Sequence, residues 1–145
     1  MNHYFTDNRH LAQNRKEITF RFSCFTCRFI TDNGVFCKDH VDAGSQLLLE
    51  TIERHGPLGE RVLDLGCGYG AIGIVLKKLY PNSAVTMAEI NPRSLELAQE
   101  NAQRNEVEVR CVHSDVYSGV EGNTFTDIVT NPPIRAGKDV VYRMF

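Results

Sequence analysis

Apolar residues fall into short runs that alternate with stretches of helical spacing in the second half of the chain. The apolar runs are typical of buried parallel strands, and four strands are expected, at 62–65, 84–90, 107–112 and 125–130. Helical spacing separates the first three, over 72–79 and 92–104. This order of elements predicts an α/β fold with a doubly wound parallel sheet.

A different pattern precedes this core. Residues 1–16 are polar without periodicity and predict an irregular arm. Apolar side chains then alternate over 18–22 and again over 25–29, and the phase slip between them predicts a hairpin that turns near Ser23 and Cys24.

A helix is expected from Asp42 to His55, ended by Gly56 and Pro57. At 145 residues the chain is expected to form one domain, with the arm and hairpin over 1–40 and the core over 41–145.

Composition excludes several classes of protein. The net charge of −2 gives no global signature of nucleic-acid binding, so any contact with RNA must come from a local patch. The sequence contains neither a signal peptide nor a long apolar span, and its five cysteines are an odd number. We expect a soluble, cytoplasmic, reduced protein without membrane contact.

Cysteine spacing offers a zinc alternative. Cys24, Cys27, Cys37 and His40 spell C-x2-C-x9-C-x2-H, which resembles a set of metal ligands. The segment is better explained as strands, and it lacks the glycine of a zinc knuckle. No metal site is expected.

The run D-L-G-C-G-Y-G, from Asp64 to Gly70, predicts a tight turn between a strand and a helix. Such a turn lets a ligand approach the backbone and the free N–H groups of the helix N-terminus. Residues 68–73 satisfy G-x-G-x-x-G, but Asp64 would repel the pyrophosphate of a dinucleotide. A turn without ligand, as in any α/β protein, is the remaining alternative.

Two later strand ends carry polar groups. Glu89 ends an apolar strand, where a charge is costly without a partner and where an acid can accept hydrogen bonds from both ribose hydroxyls of a nucleoside. The sequence Asn131-Pro132-Pro133-Ile134 follows the last expected strand. The Asn131 amide oxygen and the Pro132 carbonyl can both accept hydrogen bonds from one planar NH2 group, which would fix the orientation of that group.

These motifs resemble a known family. D-L-G-C-G-Y-G resembles motif I of the Rossmann-like (class I) S-adenosylmethionine-dependent methyltransferases, and N-P-P-I resembles motif IV of those that methylate amino groups on planar substrates. The stretch G-V-F-C-K-D-H-V-D-A-G-S-Q-L-L-L resembles the segment before motif I in the small-subunit ribosomal RNA guanine-N2 methyltransferases and their short bacterial relatives.

The resemblance implies S-adenosyl-L-methionine as cofactor and assigns residues to it. Cofactor contacts are expected from Asp64, Gly66, Cys67, Gly68, Gly70, Glu89, Ile90, Asp115, Val116 and Asn131. The catalytic set would be Asn131, Pro132, Pro133 and Ile134, and the substrate pocket would include Phe36, Lys38 and Arg135. Arg135, Lys138 and Arg143 would add positive charge for RNA phosphates.

The implied reaction is methyl transfer to guanine N2 of ribosomal RNA. Protein glutamine N5 and DNA adenine N6 are alternative acceptors. A nicotinamide-dependent oxidoreductase and a non-catalytic cofactor- or RNA-binding scaffold also stay open. Family members continue beyond the fourth core strand, so the chain is expected to be truncated there. An exposed edge on that strand could then pair with a second copy.

Overall fold

The computed structural model describes residues 14–35 and 39–131. The elements along the described chain are β1 (Lys16–Phe22), β2 (Phe25–Thr31), α1 (Ala43–His55), β3 (Arg61–Leu65), α2 (Ala71–Leu79), β4 (Ala84–Glu89), α3 (Pro92–Arg104), β5 (Arg110–His113) and β6 (Asp127–Thr130). A short 3-10 helix, Ser118–Val120, lies between β5 and β6. No helix in this part of the chain has the length and hydropathy to cross a bilayer.

The core strands form a parallel sheet in the order β5-β4-β3-β6. The chain moves outward from β3 to β5 and then returns to the other side of β3, so the strand order reverses between β3 and β6. In doubly wound sheets, ligands bind beyond the carboxyl ends of the strands at such a reversal. The predicted α/β class and the antiparallel β1–β2 hairpin are both confirmed.

The two faces of the sheet are covered differently. Val62, Val85 and Met87 share the large core cluster with the apolar residues of the helices and of the hairpin. Their strand neighbours point to the opposite face because successive side chains alternate. There Leu63, Leu65 and Ala88 form a smaller cluster with Val120 of the 3-10 helix.

The hairpin is fixed to the core by Asn101 of α3 and by Asn105, the C-cap residue of that helix. Asn101 is fully buried; its amide accepts a hydrogen bond from Ile30 N at 2.7 Å and donates to Ile30 O at 3.0 Å. Asn105 makes the same pair of bonds with the backbone of Arg28. These side-chain amides provide hydrogen-bond partners for backbone groups of β2 that would otherwise lack them. Asn101 also donates to Tyr69 O at 2.9 Å, and so joins the hairpin to the glycine turn.

Strand β5 begins later than the sequence predicts. Helix α3 closes with the hydrogen bonds Glu106 N to Gln103 O and Val107 N to Ala102 O, and Glu106 has a positive φ of 58°. This is a Schellman motif formed without glycine. Val107 therefore belongs to this helix end and not, as the apolar pattern predicted, to the strand.

Strand β6 lies at one edge of the sheet as described, with the side chain of Ile128 51% exposed on it. Association of two chains along this edge stays a prediction.

Candidate active site

The carboxyl ends of three neighbouring strands bring the predicted polar residues to one edge of the sheet. Leu65 of β3 lies opposite both Ala88 of β4 and Thr130 of β6. Gly66, Glu89 and Asn131 are the next residues along the chain after these three. Thr130 Oγ1 also donates to Leu65 O at 2.9 Å, which fixes the end of β6 beside the glycine turn.

The turn depends on its three alternating glycines. Gly66, Gly68 and Gly70 have φ values of 73°, 57° and 102°, in the left-handed region that L-residues rarely adopt. Gly66 N and Cys67 N both donate to Ala88 O, which ties the turn to β4. A Cβ added at Gly68 would meet no atom within 4 Å. The turn therefore faces open space in which a ligand can lie.

Asp64 is buried directly beneath this turn, at 1% exposure. Its Oδ2 accepts a hydrogen bond from Gly73 N at 2.9 Å, so the carboxylate satisfies a free N–H group in the first turn of α2. No residue in the described ranges donates to Oδ1. The pKa of Asp64 is raised to about 7, mainly by burial. The hydrogen bond from Gly73 N acts against this increase, and the nearby Glu89 adds to it.

Because a buried carboxylate oxygen without a partner is unfavourable, Asp64 is suited to a cationic ligand. The positive sulfonium and ammonium groups of S-adenosylmethionine fit that requirement, and the dinucleotide alternative does not.

Glu89 is half-buried at the end of β4, and both of its oxygens accept backbone hydrogen bonds. Oε1 accepts from Gly68 N and Oε2 from Asn91 N, each at 2.8 Å. Burial raises the pKa of Glu89, while these amides, that of Ile90 and the nearby His113 lower it. A carboxylate has about four lone-pair sites, more than these amides use, so the anchored carboxylate can still accept hydrogen bonds from ribose hydroxyls.

His113 forms a hydrogen bond with Ile90, the residue after Glu89. It lies opposite Glu89 on β5, and its Nε2 contacts Ile90 O at 2.8 Å. Because a carbonyl can only accept, Nε2 carries the proton. Ile90, predicted to pack on adenine, is thereby held at the strand end.

The loop after β5 contains the other residues predicted to contact adenine. Val116 has a φ of 56°, an unfavourable conformation for a β-branched residue. The hydroxyl of Ser114 stabilises it by donating to Val116 O at 2.6 Å. Asp115 is exposed, and its backbone N donates to Ser118 Oγ. Strained loops of this kind concentrate at ligand sites.

Three cysteines have neutral thiols that pack as small side chains. Burial raises the pKa of Cys67 well above its ordinary value, with the acids Asp64 and Glu89 adding to the effect, and burial likewise raises the pKa of Cys27 and Cys111. In the described part of the chain, no group of three or more His, Cys, Asp or Glu side chains is arranged to hold a metal ion. Cys37 lies outside that part.

Asn131 follows β6 and is anchored to the start of α1. Its Nδ2 donates to Asp42 Oδ2 at 2.8 Å and to Ser45 Oγ at 3.1 Å. None of the residues 14–35 and 39–131 donates to its Oδ1. The oxygen that is predicted to orient the acceptor amine thus has no hydrogen-bond donor among the described residues.

Several predicted residues lie outside the described ranges. These are Phe36, Lys38, Pro132, Pro133, Ile134, Arg135, Lys138 and Arg143. Their roles stay predictions.

The sequence alone did not predict the hydrogen-bond partners of Asp64, Ile90 and Asn131. Gly73 was not identified as the donor to Asp64, nor Asp42 and Ser45 as acceptors for Asn131, nor His113 as the neighbour of Ile90. Only Asp42 carried a usable signal, because aspartate is a preferred N-cap and Asp42 immediately precedes α1.

A separate surface cavity lies between α3 and β5 and contains none of the predicted site residues. Its volume is about 390 Å³, and it is lined by Gln99, Ala102, Gln103, Val107, Glu108, Val109 and Cys111.

Sequence comparison agrees with this class of fold and site. The profile of the methyltransferase small domain matches residues 26–145. The chain belongs to the methyltransferase small domain family, and the resemblance to S-adenosylmethionine-dependent methyltransferases is confirmed.

Two relatives match most of this chain. The chain is 40% identical to the uncharacterized protein YbxB of Bacillus subtilis (strain 168), over 99% of this chain and 72% of that protein. It is 42% identical to ribosomal RNA small subunit methyltransferase C of Haemophilus influenzae (strain PittEE), over 76% of this chain and 32% of that protein.

A solved structure matches as well. The Thermus thermophilus 16S rRNA N2 G1207 methyltransferase, in complex with AdoMet and guanosine, superposes with a TM-score of 0.82 at 32% identity, over 90% of this chain and 37% of that one. The chain thus spans about a third of the length of these two RNA methyltransferases.

Proposed function

We propose that this chain transfers a methyl group from S-adenosylmethionine to N2 of a guanine in small-subunit ribosomal RNA. Its similarity to two ribosomal RNA methyltransferases, one of them solved with AdoMet and guanosine, supports this assignment. The reaction would take place in the cytoplasm, where the protein is expected from its sequence.

The observation that carries the proposal is the juxtaposition of Asp64, Glu89 and Asn131 at the carboxyl ends of adjacent strands. When bound, S-adenosylmethionine supplies an electrophilic methyl group on a positively charged sulfur. The Oδ1 atom of Asp64, which accepts no hydrogen bond from the described residues, would stabilise the cationic end of the cofactor, and Glu89 would accept from its ribose hydroxyls.

Asn131 would orient the acceptor. An exocyclic guanine amine is a weak nucleophile because its lone pair is conjugated with the ring. Oδ1 of Asn131 would accept one amine hydrogen and hold the lone pair toward the methyl group. Attack of the amine on the methyl group, with departure of the neutral thioether, would leave positive charge on the amine. The same oxygen would stabilise that charge until the proton leaves to solvent.

A side-by-side transfer assay tests this function. Purified chain is incubated with methyl-labelled S-adenosylmethionine and, in separate reactions, unmodified small-subunit ribosomal RNA, assembled small subunits, adenine-containing DNA or glutamine-containing protein. Label on RNA guanine supports the proposal. Label only on DNA or protein would assign another acceptor, and cofactor binding without transfer to any of them would indicate a scaffold.

A further inference from the structure

We infer that Asp42 and Ser45, at the N-terminus of α1, are positioning residues that hold the amide of Asn131 with its Oδ1 facing the acceptor amine. The inference rests on the proposed function and adds residues from an element outside the parallel sheet. Neither side chain need touch the substrate or the cofactor.

The contacts form a closed set of four hydrogen bonds. Asp42 is the N-cap of α1: its Oδ2 accepts from Ser45 N at 3.0 Å and its Oδ1 from Ser45 Oγ at 2.7 Å. The Nδ2 of Asn131 donates to Asp42 Oδ2 at 2.8 Å and to Ser45 Oγ at 3.1 Å. Ser45 is 5% exposed, so bulk water does not readily replace these partners.

The polarity of these groups permits only one orientation of the amide. A carboxylate only accepts, and the hydroxyl hydrogen of Ser45 is already donated to Asp42. Both acceptors therefore require the NH2 side of Asn131, and its two hydrogens are both used. Reversing the amide would place Oδ1 against two oxygens. The negative charge of Asp42 further polarises the amide, which makes Oδ1 a stronger acceptor.

Gly44 leaves the space that this arrangement needs. A Cβ at Gly44 would lie 3.0 Å from Asn131 Oδ1, 3.2 Å from Nδ2 and 3.2 Å from Asp42 Oδ2. Alanine is otherwise favoured over glycine inside a helix. Gly44→Ala would therefore favour α1 by helix propensity while displacing Asn131 by a few tenths of an ångström.

Three variants separate positioning from folding. Asp42→Asn keeps a good N-cap but offers one oxygen to three donors. Ser45→Ala removes one acceptor of Asn131 and the hydroxyl bond to Asp42, and Gly44→Ala displaces the amide. Thr126→Val is the matched control, because it removes hydroxyl bonds to the backbone of Arg61 at the opposite end of the sheet. For each protein we would measure melting temperature, cofactor affinity and the single-turnover rate on guanine-containing RNA.

We expect Asp42→Asn to lower the rate roughly ten- to a hundredfold, since a small misplacement of a catalytic group can cost that much, with cofactor affinity within about twofold of wild type. Gly44→Ala should also slow transfer, and Thr126→Val should not. In an Asn131→Ala background, Asp42→Asn should cause no further loss of rate, because its partner is gone. A full additional loss there would overturn the inference.

A readout independent of activity keeps the inference separate from the proposed function. The side-chain NH2 resonances of Asn131, assigned by their absence in Asn131→Ala, should be protected from exchange with solvent and should shift in Asp42→Asn and Ser45→Ala. Resonances unchanged by both variants would overturn the arrangement. If these shifts are seen but wild type methylates no guanine substrate, the proposed function fails and the hydrogen-bonded arrangement stands.

Discussion

Replacing Asp64 by asparagine should stabilise the protein without cofactor while weakening cofactor binding. The pKa of Asp64 is about 7 against an ordinary value of 3.8, mainly because the carboxyl is buried. A difference of about three pKa units corresponds to about 4 kcal/mol. As pH rises, Asp64 loses its proton at a lower pH in the unfolded chain than in the folded one. The contribution of this group to the free energy of unfolding is therefore fully present below pH 4 and is lost as pH rises through 7.

The asparagine side chain in Asp64→Asn would be neutral at every pH and would keep an acceptor for Gly73 N. The free energy of unfolding of this variant, relative to wild type, should therefore increase by about 3 kcal/mol between pH 5 and pH 8. Urea denaturation without cofactor at each pH measures this difference. Glu53→Gln, which removes the same charge from an exposed position on α1, serves as the control.

Cofactor affinity should show the opposite response. Wild type must release the Asp64 proton to pair with a cation, so its dissociation constant should rise about tenfold per pH unit below 7. Asp64→Asn should lose that dependence and bind at least tenfold more weakly at pH 8. A stability difference that does not vary with pH would refute the titration of Asp64, and an unchanged affinity would remove Asp64 from the cofactor site.

Two further variants test neighbouring contacts. Glu89→Ala should weaken cofactor binding by ~2–3 kcal/mol in calorimetry, because two charge-assisted hydrogen bonds to ribose are lost; an unchanged dissociation constant in a folded variant would exclude the ribose role. Asn101→Ala should lower the free energy of unfolding by roughly 3 kcal/mol or more, because the Ile30 N–H and the carbonyls of Ile30 and Tyr69 would lose buried partners. A loss below about 1 kcal/mol in urea denaturation would mean that these groups find other partners.

Much of the fold is encoded locally and could be predicted from the sequence. Strands β3 and β4, the glycine turn and helix α3 each rest on a short run of residues. The pair Asn91-Pro92 predicted the first turn of α3 correctly, since an N-cap followed by proline acts within one turn. Asp64, Gly66 and Glu89 were placed at strand ends for the same reason.

Contacts between distant elements could not be predicted in this way. Asn101 and Asn105 look like solvent-facing polar residues of a helix, yet they bind the backbone of β2. Glu106 takes the left-handed conformation that usually signals glycine, so the start of β5 was predicted too early, although α3 ends at Arg104 as predicted. The bond between Asn131 and Asp42 joins positions far apart in the chain and depends on the final packing of α1 against the end of β6.

Nucleoside mass spectrometry tests the central claim most directly. Small-subunit ribosomal RNA would be incubated with S-adenosylmethionine carrying a trideuterated methyl group and either wild type or Asn131→Ala, then digested to nucleosides. We expect trideuterated N2-methylguanosine with wild type, and a rate roughly 10²–10³-fold lower with Asn131→Ala at nearly unchanged cofactor affinity. Label on another atom, or equal rates for the two proteins, would contradict guanine-N2 methylation oriented by Asn131.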